Sequence, residues 1–141
     1  MTITRAGAEL VLMRRLGGLL AEAGMTVEAG PNPHLSDPLA SALRALGHAA
    51  VDVTDAELGQ VAGAHVDALL DLAELRALQS VAGNLLAVDV TVGPVSERRG
   101  ALAEQVARLV DERRAAVAAR WGHLLAEPPE GAGGPVRLWS L

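Results

Sequence analysis

The sequence predicts an all-α protein: a small bundle of about four helices, two of them long and antiparallel, followed by an extended C-terminal tail. Three observations carry this expectation. Half of the 141 residues are apolar, and that apolar mass is Ala, Leu and Val, with no Phe, Tyr or Cys and only Trp121 and Trp139 as aromatics. Such a bias favours helix over an aromatic-rich β-sandwich. Apolar residues recur at i, i+3 and i+4 along the chain, and cap or stop residues stand at the ends of those stretches. Two units are expected: a helical domain over residues 1–126, and a Pro/Gly tether with a docking tail over 127–141.

The first helix is expected from about Thr4 to Ala23, with Ala8, Val11, Leu12, Leu16, Leu19, Leu20 and Ala23 on one face. Gly17 and Gly18 lie inside it, where each costs about 1 kcal/mol relative to Ala; their expected use is close approach of another backbone. Gly24 is the expected stop. Gly30-Pro31-Asn32-Pro33 reads as loop. Asp37-Pro38 then reads as cap and first helical residue of a short helix carrying Leu39, Leu43 and Leu46 and ending at Gly47.

Thr54 and Glu57 have capping-box spacing, and Val53 with Leu58 has hydrophobic-staple spacing. A long helix is expected from Asp55 to about Val81, with Leu58, Val61, Ala62, His65, Val66, Leu69, Leu72 and Ala73 on one side. Asp67, Asp71 and Glu74 fall opposite, within roughly a 60° sector. Leu75, Leu78 and Val81 lie outside the first stripe, so another subunit or partner is expected to cover them. Gly83-Asn84 reads as a break. Val88, Val90 and Val92 alternate with polar residues as a short extended segment before Gly93-Pro94 turns the chain. Ser96 caps a last helix from about Glu97 to Trp121, with Leu102, Val106, Leu109, Val110, Val117 and Trp121 inward. Glu104, Arg108 and Glu112 have i, i+4 pairing distance along it, and Gly122 is a candidate cap.

Composition excludes several classes of function. Without Cys there is no disulfide framework, thiolate metal site or Cys nucleophile. All twelve basic residues are Arg, so Schiff-base chemistry and a P-loop lysine are excluded as well. A net charge of −5 argues against a general nucleic-acid binder. The central charge-free stretch from Ala77 to Val88 is shorter than the ~18 residues a membrane span needs. Glu9, Arg14 and Arg15 interrupt any signal-peptide core, so a soluble protein made in the cytoplasm is expected.

Chemistry-bearing constellations are sparse. His34, His48, His65 and His123 include no H-x-x-x-H pair. His48 and Asp52 straddle an expected helix end, and His65 reads as a hydrogen-bonded core residue. Asp67, Asp71 and Glu74 read as a solvated helix face, with a carboxylate metal site or a stripe facing something that must not stick to it as the alternatives. Arg98 and Arg99 oppose the macrodipole at a helix start, which suggests either solvation or a salt bridge to another subunit. Arg113 and Arg120 flank the last apolar stripe and either snorkel or pair between subunits. No nucleophile–base pair is visible, so neither an enzyme nor a cofactor is expected. Glu127-Pro128-Pro129-Glu130-Gly131-Ala132-Gly133-Gly134-Pro135 has the composition of a tether. Val136, Arg137, Leu138, Trp139 and Leu141 after it form an apolar docking peptide.

The segment Pro31-Asn32-Pro33-His34-Leu35-Ser36-Asp37-Pro38 through Leu43-Arg44-Ala45-Leu46-Gly47 resembles the front half of tailed-phage head-to-tail connector (adaptor) proteins. So do Val53-Thr54-Asp55, the run Leu69-Leu70-Asp71-Leu72-Ala73-Glu74-Leu75-Arg76, Asn84, and Val88-Asp89-Val90 leading to Gly93-Pro94-Val95-Ser96-Glu97-Arg98. The resemblance spans residues 31–121. It implies a small helical structural protein of the virion neck, in a ring of about twelve copies through which DNA passes without specific binding. Implied partners are the portal protein and the next neck or tail-completion protein. In such a ring Leu75, Leu78, Val81, Arg98, Arg99 and Arg113 would meet the neighbouring subunit, Asp67, Asp71 and Glu74 would face the lumen, and the tail would dock on the portal. The competing expectation is a helical-bundle regulator or assembly chaperone that grips a partner through the same tail.

Overall fold

In a computed structural model of the protein, residues 3–25, 32–48, 52–87 and 94–125 are described. They form helices α1 (Arg5–Leu16), α2 (Leu19–Glu22), α3 (Pro33–Ala45), α4 (Asp55–Gly59), α5 (Val66–Ala87) and α6 (Pro94–Trp121), with 3-10 turns before α5 and after α6. No strand occurs among the described residues, and the all-α expectation holds. Four of the helices are substantial, and α5 and α6 are the two long ones, of 22 and 28 residues.

Helix α5 is the axis of the molecule. It packs against α3 and α1 on one part of its surface and α6 on another. Asp71, near the start of α5, meets Trp121 at the end of α6, while Glu74 one turn on meets Arg113, so the two long helices run antiparallel. The core follows from the Leu and Val stripes: Leu12 and Leu16 from α1, Leu35, Leu39 and Leu43 from α3, Leu58 from α4, and Val106, Val110 and Val117 from α6 converge on α5.

Several boundaries differ from expectation. The first helix breaks after Leu16, because Gly17 adopts φ 58° and ψ −130°, a backbone conformation that side-chain-bearing residues avoid. No neighbouring backbone approaches either Gly17 or Gly18. A break between α1 and α2, not close packing, is the use of Gly17. Helix α3 starts at Pro33 rather than at Pro38. Asn32 caps it by accepting the His34 N–H at 3.0 Å, and Pro33 takes the first helical place, where a missing N–H costs nothing. Pro38 is buried inside the helix.

Thr54 caps α4, accepting the Glu57 N–H at 3.1 Å, and the Val53 and Leu58 side chains are both buried. The helix it starts is short, however. Gly59 and Gly63 bracket a stretch in which Ala62 is extended, and the chain re-enters helix only through the turn Gly63–His65. Val61 keeps its buried place by turning inward from that irregular stretch. At its other end α5 passes straight through Gly83 and Asn84 to Ala87. There the Asn84 side-chain amide donates to the Ala23 carbonyl at the end of α2, and Leu85 is buried. Tertiary anchors thus override a weak helix-breaking pair. Helix α6 starts at Pro94, two residues ahead of Ser96. The alternating residues Val88, Val90 and Val92 and the whole of 127–141 lie outside the described residues.

Candidate functional site

The acidic residues of α5 form the most connected polar cluster. Asp71 accepts from Arg15 of α1 at 2.9 Å through Oδ1, and from the Trp121 indole N–H at 2.8 Å through Oδ2. The Arg120 guanidinium lies 3.5 Å from the same Oδ2, and its carbon sits 4.6 Å from the Trp121 ring centroid, a cation–π contact. Glu74 is 6 % exposed, with Arg113 Nε at 3.4 Å and Arg15 Nη1 at 3.9 Å. Three helices are tied together here by carboxylates whose oxygens all face cations or an N–H donor. Glu74 is buried with two arginines because an isolated carboxylate would be too costly to remove from water.

This arrangement corrects the reading of Asp67, Asp71 and Glu74 as one solvated or lumen-facing stripe. Asp67 alone is exposed; Asp71 and Glu74 are engaged within the chain. Arg113, expected between subunits, pairs with Glu74 of its own chain, and Arg120 pairs with Asp71. The apolar interface expectation is corrected in the same way. Leu75, Leu78 and Val81 are 1 %, 2 % and 0 % exposed within a single chain. The surface around α5 that looked uncovered is closed by α1, α3 and α6, which periodicity within one helix could not reveal. Arg98 and Arg99 fall in the first turns of α6, their side chains outside the described set, as are the tail residues Val136, Arg137, Leu138, Trp139 and Leu141.

Open clefts are found among the described residues. One, of about 410 Å³, lies between α3 and α5 and is lined by Asp37, Ser41, Arg44, Arg76, Gln79 and Ser80. Sequence reasoning did not single out Arg44 and Arg76 as a pair, since one helix-to-helix packing brings them together across 32 residues of chain. Another, of about 380 Å³, gathers Arg5, Ser36, Asp52, Thr54 and Asp55 near the start of α1. Its polar groups are committed locally: Asp55 Oδ1 accepts the Arg5 backbone N–H at 2.7 Å, Asp52 Oδ1 accepts the Val53 N–H at 2.8 Å, and the Arg5 side chain pairs with Glu9. His48 is half-buried, while Asp52 is exposed and turned to its own backbone. Among the described residues no group of three or more His, Asp or Glu is placed to hold a metal ion. No helix among them is long and apolar enough to cross a membrane.

Comparison of the chain with known protein families, with curated proteins and with solved structures finds no match. Its helices and their packing define it as an all-α domain.

Proposed function

We propose that this chain is a structural protein of a tailed-phage neck, an adaptor that forms a ring under the portal of the DNA-filled head and joins it to the tail. One observation of register carries the reading. The turn and cap residues of the connector-like pattern (Asn32-Pro33, Gly47, Thr54-Asp55 and Pro94) stand at helix boundaries of a single all-α domain. The net charge of −5 suits a ring that lets DNA pass without holding it. In this reading the body is locked by its own ion pairs, and the segment Val136-Arg137-Leu138-Trp139-Ser140-Leu141 grips the portal at the end of the Pro/Gly-rich stretch 127–135.

The test is to mix portal with the full chain or with a chain stopped after Glu130, then measure co-sedimentation and image the mixtures in negative stain. Rings on the portal are expected from the full chain. The shortened chain should keep its helical circular dichroism and melting temperature but bind at least about tenfold more weakly, because a Trp anchor such as Trp139 typically dominates a small interface. A full chain that neither binds portal nor forms rings on it, and instead runs as a small stable dimer, would replace the neck reading with the regulator.

A further inference from the structure

The first helix carries an apolar stripe on its outer side. Among the described residues the exposed large apolar side chains are Leu10 and Met13, at 46 % and 40 %. At 100° per residue they fall with Ala6, also exposed, inside roughly a 60° sector of α1. Ala8, Leu12 and Leu16, which α1 buries, lie well round the helix from that sector. The sector holds no charge: Glu9 on one side is buried against Arg5, and Arg14 stands beyond Leu10 on the other. Two such side chains, each less than half exposed, fall far short of the ~800 Å² per partner that a stable pairing of free proteins buries. A second copy is therefore a poor occupant. A segment of the same chain is a better one, because the linkage makes binding intramolecular, at a roughly millimolar effective concentration.

The course of the chain selects the segment. The Asp71 carboxylate receives Arg15, in the last turn of α1, and Trp121, at the end of α6. The end of α6 thus lies beside the end of α1, and Leu125, the last described residue, is packed against the core. Met13 and Leu10 lie only roughly 3 and 8 Å back along α1 from Arg15, and half the circumference of a helix is about 15–20 Å. Residues 126–135 span at most about 33–36 Å, enough for that path. After them come Val136, Leu138, Trp139 and Leu141, four apolar side chains within six residues. The valines of 88–93 do not compete, since that segment joins α5 to α6 at the end of α5 about 24 Å from Asp71. Residues 1–2, 26–31 and 49–51, also outside the described set, offer one large apolar residue each.

We propose that Val136, Leu138, Trp139 and Leu141 seat on the Ala6/Leu10/Met13 stripe of their own chain, with the Trp139 indole against the Met13 thioether, a favourable pair. The seat goes beyond the neck reading and sets a condition on it. The segment cannot hold α1 and the portal at once, so the portal must displace it. The contact is small and stabilises the fold little, so a local signal reports it rather than the melting temperature.

Met1, Met13 and Met25 are the three methionines of the sequence, so carbon-13 labelling of the methionine methyls gives three resonances, and Met13→Leu assigns one. In the full chain the Met13 methyl is expected upfield, in the Trp139 ring current, of its position in a chain stopped after Glu130. The shift should be the same at every protein concentration, and the buried Met25 should not move. Trp139→Ala should return Met13 to the stopped-chain position. Leu10→Ser, at an exposed site, should reduce the shift with unchanged circular dichroism. A Met13 resonance identical in the full and stopped chains, or a shift that survives Trp139→Ala, overturns the seat. A shift that appears only as concentration rises overturns it in favour of a second copy. Portal binding by a chain with no Met13 shift would leave the neck reading standing and this seat wrong. The shift without portal binding would do the reverse.

Discussion

At the residue scale, caps serve this protein twice. Thr54 Oγ1 satisfies the Glu57 N–H, and the adjacent Asp55 carboxylate accepts the first N–H of α1. A local helix start is thereby also a joint between the N-terminal helix and the middle of the chain. Thr54→Ala should cost about 0.5–2 kcal/mol, seen as a drop of a few degrees in the thermal melt. A melt unchanged within error would mean the cap contributes nothing to the fold. Asp71 shows the same economy at larger separation, since a carboxylate that looked solvated receives Arg15, Arg120 and the Trp121 indole at once.

At the element scale, the two glycines at either end of the domain behave oppositely. A Cβ built on Gly17 or on Gly83 meets nothing within 4 Å. Space therefore does not decide what Ala does there; backbone conformation does. Gly17 sits at φ 58° between α1 and α2, so Gly17→Ala should destabilise by about 1 kcal/mol or more. Gly83 is inside α5, so Gly83→Ala should stabilise by about 0.5–1 kcal/mol. Denaturant melts of the two variants check the opposite signs. Equal shifts would mean that the break after Leu16 is not held by the Gly17 dihedral.

At the scale of the whole molecule, α5 is buried nearly all round because three other helices share it. Leu78 is the diagnostic residue. As a subunit contact it would tolerate Glu in a folded monomer; as the centre of the chain's own core it would not. The packing gives the second outcome: Leu78→Glu should abolish the helical signal of the isolated chain, since a buried charge there has no partner. Leu78→Ala should cost about 2–5 kcal/mol. A Leu78→Glu chain with wild-type helicity would return this residue to an interface.

Whatever depends on neighbours within a turn or two was legible along the chain. The helical class follows from Ala/Leu/Val content, and the inward residues of α3 and α6 from a period of 3.6. The Thr54 cap and the stop at Gly47 follow from side-chain chemistry at a helix end. Tertiary structure decided whatever depends on a distant partner. It split the expected Asp55–Val81 helix at residues 60–65 and carried α5 through Gly83-Asn84 by way of the Ala23 carbonyl. It also turned Asp71 and Glu74 inward, closed the core over Leu75, Leu78 and Val81, and set Arg44 beside Arg76. The physical reason is one of range. Cap bonds and periodicity act over three or four residues, and the sequence displays them directly. Burial, and the ion pairs burial demands, depend on which helix lies opposite, and no spacing along a single helix records that.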